Sequence, residues 1–357
     1  MKELMDALVL REPNKYEISK IPIPSINENE VLCKIQSVAI CGSDVGFIRG
    51  ITAGVWPPYY PFTIGHEWSG IVEKVGSKVT LWKKGDKVVG EAHSGCGICK
   101  NCKEGRYNLC LNYNNPKTDH RHYGHKDQGA FAEYGAFMEK SLTRLPENVS
   151  FDIGAIIDAA GTGLHVEELT GITPGGTVAI IGPGPIGLLS AKIAKALGSG
   201  RIIVIGRGER LALSKKLKIA DETIDFEHQD VLKEISNLTN GLGCDEVYEC
   251  SGAKGTLNQA IQIAAKGGKI GMFGIPKPGN LEPIDNKSVV VKELTLQGCR
   301  ANPNVTPKLL SMLSNGNLDF SDIVTHSFPL RDFEKGFNTF LDRKTQALKV
   351  VIHPQDK

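Results

Sequence analysis

Four cysteines, Cys96, Cys99, Cys102 and Cys110, are separated by two, two and seven residues within one short stretch of chain. Four soft, anionic sulfurs at that spacing suit a closed tetrahedral zinc site with no vertex left for a reactant. A redox dithiol would need a thioredoxin-like βαβ context, which the flanking residues lack. A second set of ligand types is scattered: Cys41 in C-G-S-D, His66 and Glu67 in G-H-E-W-S-G, and Asp158 in D-A-A-G-T-G-L-H. A catalytic zinc takes three protein ligands and keeps one exchangeable position, and Cys, His and carboxylate are groups it accepts. Singly, each residue has a plain structural reading: a His beside a Glu is commonly a hydrogen-bonded pair, and a Cys ending an apolar strand is commonly core. Their joint occurrence points to a second, catalytic metal. Ser43 and Asp44 add a hydroxyl and a carboxylate next to Cys41, suited to proton transfer or to capping a turn or helix.

A nucleotide signal follows. The run 178–181 (VAII) ends in G-P-G-P-I-G, with Gly182, Gly184 and Gly187 in the spacing of a dinucleotide turn, and Pro185 and Ile186 opening a helical stretch. Gly182 permits the tight turn, Gly184 lets backbone approach a pyrophosphate, and Gly187 lets helix pack on strand. The phosphates then face the positive end of the helix. About 20 positions on, an acid would bind a ribose 2′-hydroxyl, but the chain has Gly206-Arg207-Gly208 there. Arg207 or Arg210 would instead meet a 2′-phosphate through a bidentate fork. The expected cofactor is therefore NADP(H), with NAD as the alternative if Glu209 reaches the ribose.

The elements that must position these groups show in the texture of the chain. Short β-type runs at 31–38, 70–75, 86–89 and 131–137, punctuated by Gly and Pro, suggest a barrel-like domain. The character changes near Asp152. From Thr177 strand and helix alternate: strands at 178–181, 201–205, 246–249 and 269–273, and helices near 186–197, 210–218 and 256–265. That alternation predicts a parallel sheet with helices on both faces. Strand-like texture returns at 294–297 and 348–352, so the simplest architecture is a β domain interrupted by an inserted nucleotide domain. The 357 residues suffice for two such cores. With 42 basic and 40 acidic residues the formal charge is +2, which gives no electrostatic reason to expect nucleic acid or a membrane surface as partner. The N-terminus lacks the apolar core of a signal peptide, no apolar run has spanning length, and the cysteines bunch as metal ligands do, so the reading is cytoplasmic. Cys33, Cys244, Cys250 and Cys299 read as buried, inert thiols.

In combination and in this order, the G-H-E-x-x-G motif at 65–70, the four-cysteine lobe and G-P-G-P-I-G at 182–187 resemble the zinc-dependent medium-chain dehydrogenases over essentially the whole chain. The resemblance implies an α/β chain: a GroES-like β-barrel catalytic domain (1–152 and 293–357), an inserted Rossmann NAD(P)-binding domain (153–292), and an active site in the cleft between them. It also implies two zinc ions per subunit. Cys41, His66 and Asp158 would hold the catalytic one, with Glu67 a carboxylate able to approach or exchange onto it, and the four cysteines would hold the structural one. Ser43 would take the first proton, Asp44 would orient His66, and Thr162 would lie at the cofactor. Asp158 with the following Thr-Gly-x-His resembles bacterial secondary-alcohol dehydrogenases, as does Gly206 their NADP-using members, whereas polyol dehydrogenases usually carry Glu at 158. One departure concerns the proton relay. Many relatives have His three residues after the Ser or Thr, but here that position is Gly46, so water, Glu67 or the loop His120-Arg121-His122-Tyr123-Gly124-His125 would carry the proton onward. That loop otherwise reads as a solvated border of the substrate cleft.

The segment Trp56-Pro57-Pro58-Tyr59-Tyr60 either borders the substrate pocket or is a rigid turn. The expected partner is a small alcohol or ketone, whether secondary alcohol, polyol or sugar derivative, and the expected assembly is a homodimer or homotetramer. A cofactor-binding protein that uses zinc for stability alone is the rival reading, and it predicts one tightly held zinc per chain where the enzyme predicts two.

Overall fold

The computed structural model describes residues 3–276 and 281–356. Seven strands form a barrel-like sheet in the order Val324–Pro329, Lys349–His353, Glu30–Ala39, Glu67–Val75, Lys87–Gly90 and Leu142–Arg144, with Tyr134–Met138 also pairing along Glu30–Ala39. The hairpin Leu4–Glu12 and Lys15–Pro22, which the sequence reading passed over, lies outside it. Inward residues such as Val31, Cys33, Ile35, Trp68, Val72 and Phe137 fill the core. Trp68 stacks on Phe137 at 4.0 Å between centroids. Its strand partner must be Gly90, because a Cβ there would stand 2.2 Å from the indole.

Six parallel strands build the second sheet, in the order Glu222–Asp225, Arg201–Gly206, Thr177–Ile181, Cys244–Glu249, Ala264–Met272 and Thr295–Gly298. The runs VAII and IIVI are buried on both faces, as a parallel sheet covered by helices demands. Chain order reverses between Thr177–Ile181 and Cys244–Glu249, which opens a crevice at their carboxyl ends. The run 294–297 was expected with the barrel. It instead joins this sheet, pairing parallel to Ala264–Met272. A strand of four residues does not specify its own sheet; the crossover through the helix Asn286–Val291 returns the chain to the same edge. The nucleotide-binding unit thus extends past residue 292.

Between the two sheets lies the helix Ile157–Thr170. It buries Ile157, Ala160, Leu164, Val166 and others on most of its faces, so its sequence has little amphipathic bias. One continuous core runs from Ala39, Val89 and Val351 of the barrel through Ala160 and Leu164 to Val178, Ile180 and Leu188 of the nucleotide-binding sheet. Side chains carried by this helix are accordingly held by both units. Among the described residues no helix is long and apolar enough to cross a membrane.

The C-terminal strand is tied to the domain junction by His353, whose Nε2 lies 2.7 Å from Asp152 Oδ1. The hydrogen bond to Asp152 raises the His353 pKa, against the opposing effect of burial. A raised folded-state pKa contributes stability that is complete below the unfolded value near 6.5 and disappears as pH rises through the folded value. His353→Gln should therefore lower the melting temperature more at pH 6 than at pH 8.5, measured by circular dichroism; equal losses at both would show that the ion pair contributes nothing.

Candidate active site and cysteine lobe

The four lobe sulfurs lie within 4.8 Å of one another. A tetrahedral zinc with bonds of about 2.3 Å sets sulfurs about 3.8 Å apart, and the Cys96–Cys102 and Cys99–Cys110 separations are 3.9 and 4.0 Å. The loop supplies donors for thiolates: Cys99 N to Cys96 Sγ at 3.4 Å, Cys102 N and Leu111 N to Cys99 Sγ at 3.5 and 3.4 Å, and Asn112 Nδ2 to Cys96 Sγ at 3.3 Å. These hydrogen bonds outweigh burial at Cys96 and bring its pKa down to about 6, whereas burial pushes Cys102 up to about 12. Such a closed set of sulfurs, half of it disposed to ionise, fits a divalent soft-ligand metal.

The second cluster is assembled by strand register. Glu30–Ala39 and Glu67–Val75 are antiparallel with Ala39 opposite Glu67, so Cys41, just past one strand, and His66, just before the other, emerge at the same end. Ligand atoms of Cys41, His66 and Glu67 lie within 4.8 Å of one another. Asp44, in the first turn of the helix Gly42–Ile48, is fully buried and accepts the Cys41 N–H through Oδ2 at 2.8 Å. Its Oδ1 lies 3.7 Å from His66 Nδ1, and among the described residues neither atom has another partner. A proton on Nδ1 directed at Asp44 leaves Nε2 free for a metal. Ser43 Oγ sits 3.5 Å from that Nε2.

Asp158 enters from the first turn of the helix Ile157–Thr170 and receives the Ala92 N–H at 3.5 Å. Its carboxylate stands outside the group of three, yet it is near enough that its charge raises Glu67 and that His66 lowers it. Glu67 is instead held by Lys349 in a buried ion pair, with side-chain exposures of 1% and 3%. Burial is the leading cause that lifts Asp44, Glu67 and Asp158 above ordinary carboxylates. Sequence reasoning missed Lys349. The available signal was a lysine inside the apolar strand L-K-V-V-I-H, at a position that a barrel strand turns inward.

At the nucleotide turn, Gly182 adopts φ +108° and donates its N–H to Ile205 O at 2.9 Å. A Cβ on Gly187 would meet Gly182 O at 2.2 Å, whereas Gly184, capping the helix Pro185–Ala196, faces open space. Pro185 occupies the first turn, where its missing N–H costs nothing, and Ile186 packs against the core. Gly206 has a steric reason of its own: a Cβ would stand 2.4 Å from Pro183 Cδ. Arg207 is exposed, pairs with Glu227 and lies over the Phe226 ring at 5.6 Å. Arg210 differs from expectation. It falls on the inward face of the helix Gly208–Lys216, and its Nε donates to Ala347 O at 2.9 Å, so the guanidinium serves the chain's own backbone. Glu209 is exposed and accepts from Gln346. Thr162 bonds back to Asp158 O at 3.4 Å, and its carbonyl faces the Cys299 thiol at 3.5 Å.

The histidine-rich loop, expected to be solvated, is largely packed inside. Pairing of His93–Ser94 with Arg121–His122 draws it in, with His93 opposite His122. His93 stacks on His122 at 4.0 Å, His122 on His125 at 3.8 Å, and His125 meets the His66 ring edge at 4.5 Å. Trp56 covers the stack, contacting His122 and His125 and donating Nε1–H to Tyr113 Oη at 2.9 Å. Burial, followed by neighbouring cations and imidazoles, holds these rings neutral, with His93 lowered to about 3 and His120 to about 4.

Comparison with known proteins agrees with this architecture. Residues 27–147 match the alcohol dehydrogenase GroES-like domain and 185–315 the zinc-binding dehydrogenase domain. Sorbitol dehydrogenase of Bacillus subtilis (strain 168) is 34% identical over 98% of this chain and 97% of its own length. L-threonine 3-dehydrogenase of Bacillus velezensis is 37% identical over 94% and 95%. A solved structure from Sinorhizobium meliloti 1021, described as a zinc-binding dehydrogenase and bound to NADP, superposes with TM-score 0.87 at 27% identity, covering 99% of this chain and 100% of that one. The chain belongs to the zinc-dependent medium-chain alcohol/polyol dehydrogenase family. It is a zinc-dependent, NAD(P)-linked oxidoreductase with a GroES-like barrel and a Rossmann-type domain.

The contact at Gly187 makes a direct test. Gly187→Ala should weaken nicotinamide-cofactor binding at least tenfold, by displacing the helix end that faces the phosphates, while leaving zinc content unchanged. Fluorescence titration and metal analysis measure the two, and unaltered cofactor affinity would place the phosphates elsewhere.

Proposed function

We propose that the chain interconverts a secondary alcohol, polyol or sugar derivative with its carbonyl form, using NADP(H) and two zinc ions per subunit. The observation that carries this reading is the convergence of Cys41, His66 and Glu67 within 4.8 Å, beside Ser43 and with Asp158 close by. When bound there, zinc supplies Lewis-acid activation of the alcohol oxygen, and the nicotinamide takes the hydride. Asp44 fixes the tautomer and orientation of His66. Ser43, next to the ring, relays the hydroxyl proton of the substrate, accepting it while passing its own hydroxyl proton to water. Lys349 restrains Glu67, so that the carboxylate reaches toward a metal or toward the ammonium. Cys41 and His66 would be the constant ligands, with Asp158 or Glu67 completing the set. The lobe Cys96, Cys99, Cys102 and Cys110 takes the second, structural ion.

The preference for NADP(H) is supported by Gly206, whose contact with Pro183 excludes a carboxylate, and by Arg207. An exposed pair such as Arg207–Glu227 is worth about 0–1 kcal/mol, less than the roughly 1.5–3 kcal/mol of hydrogen bonds to a charged group, so a 2′-phosphate can displace Glu227. The relative from S. meliloti binds NADP, which agrees. Nine cysteines without a disulfide among the described residues suit the cytoplasm.

Zinc analysis of the purified protein should give two ions per chain, with chelation removing one together with activity on a panel of primary, secondary and polyhydric alcohols. One retained ion and no activity on any of them would favour the purely structural role. Rates with NADPH should exceed those with NADH at equal, subsaturating concentration, and Arg207→Ala should reduce that preference at least tenfold. NADH faster than NADPH in the parent protein would reject the charge argument.

The homo-oligomer is best placed at Thr295–Gly298, which pairs on one side only among the described residues. Ile275, Leu281, Val290 and Val291 nearby are 68–94% exposed. An open edge beside such apolar residues suits isologous pairing with a second copy. Val290→Asp with Val291→Asp should yield monomers by light scattering; an unchanged mass would locate the interface on another face.

A further inference from the structure

The imidazole wall leads away from the metal cluster to a cationic edge that the chemistry above does not use. Ring contacts run from His66 to His125 at 4.5 Å, to His122 at 3.8 Å and to Tyr113 at 5.7 Å. Tyr113 Oη lies 2.7 Å from His122 Nδ1, and its ring meets His120 at 4.7 Å. Two cations flank that same ring, Lys126 Nζ at 5.5 Å and Arg300 Cζ at 5.5 Å. Lys126 donates to the Asn114 side-chain oxygen, and among the described residues neither cation has a carboxylate within ion-pair distance. Arg121 and Lys140 add further positive charge near His120, against Asp127, which is held by the His122 N–H at 2.8 Å and lies 3.9 Å from Arg121 Nε. Among the described residues the buried atoms His93 Nδ1 and His120 Nε2 have no hydrogen-bond partner.

We propose that Arg300, Lys126 and Tyr113 form a subsite for an oxyanion substituent of the substrate, a phosphate monoester or a carboxylate, at the end remote from the reacting carbon. The proposal rests on the dehydrogenase reading of the metal cluster. Arg300, which is exposed, and Lys126 share the Tyr113 ring and among the described residues have no carboxylate within ion-pair distance, and a guanidinium pairs with phosphate or carboxylate through two parallel hydrogen bonds. The intervening imidazoles offer ring nitrogens as hydrogen-bonding groups for hydroxyls along the way. A substrate several carbons long would thus place one hydroxyl at the Cys41–His66 end and its charge at the Arg300 end.

The test uses the zinc-loaded enzyme with NADPH or NADP⁺ and NADH or NAD⁺ on pentitols and hexitols, their 1-phosphates and the aldonates of the same chain length. At least one anionic series should exceed the neutral one tenfold or more in kcat/KM, and whichever does so distinguishes phosphate from carboxylate. Its KM should rise with ionic strength. Arg300→Gln should cut the ratio of anionic to neutral kcat/KM at least tenfold, with partial recovery in Arg300→Lys. Inorganic phosphate provides a measure that needs no turnover: it should quench Trp56 fluorescence in the parent protein and lose that effect in Arg300→Gln. Neutral alditols preferred over both anionic series, or a variant that weakens cofactor binding with the selectivity ratio unchanged, would overturn the subsite. Phosphate binding that depends on Arg300 with no alcohol oxidised would sustain the subsite and reject the dehydrogenase reading instead.

Discussion

Uncompensated negative charge in a dry place dominates this molecule. Asp44, Glu67 and Asp158 gather about His66, and among the described residues Lys349 is the ammonium that opposes them. Burying even one carboxylate costs several kcal/mol unless it is paired, and the upward shifts of all three acids express that cost. A divalent cation resolves the imbalance more fully than protonation does, because it lets thiolate and carboxylate remain ionised together. The demand for a metal is therefore electrostatic as well as geometric, and Lys349 fits the same account. It neutralises Glu67, with which it forms a buried ion pair.

That concentration of charge is tolerated because the surrounding elements cannot rearrange to release it. Cys41 and His66 flank adjacent antiparallel strands whose register is set by a buried aromatic core, and Asp158 rides on a helix packed by both sheets. Side chains on such supports keep their geometry better than side chains on loops. The shared core also explains how a site can lie between two units without depending on a loose interface. Ala160 and Leu164, within two turns of Asp158, touch the same continuous cluster as the barrel residue Ala39 and the nucleotide-sheet residue Ile180.

How much of this was legible in the sequence follows the range of the interactions. The cysteine lobe and the glycine turn are local, so spacing revealed both, and the alternation after Thr177 revealed the parallel sheet. The run 294–297 was assigned to the wrong sheet, since four residues carry no record of which edge they join. Arg210 looked available because its charge was visible and its helix phase was not; three residues beyond Arg207 it falls on the inward face of the helix Gly208–Lys216, against Ala347. Lys349 lies 282 positions from Glu67, and nothing short of the barrel closure brings the two together. The histidine loop was misjudged for a related reason. Its polarity suggested solvent, but stacking on His93, nearly thirty residues earlier, buries most of it.

The same distribution of charge gives the cleft a direction. The cluster around His66 is rich in acids and the edge around Tyr113 in cations, with stacked imidazoles between them. A protein that merely stored zinc would have no need for this gradient, since a closed set of sulfurs already satisfies the lobe. A site that must admit one molecule in one orientation does need it. In the proposed reading the metal cluster and the cationic edge recognise different groups of one ligand, with the stacked rings between them. Orientation of this kind contributes to catalysis by removing rotational freedom before the chemical step. Here it would be imposed by side chains far apart in sequence, from the Cys41 turn, the loop near Tyr113 and the segment after Thr295–Gly298.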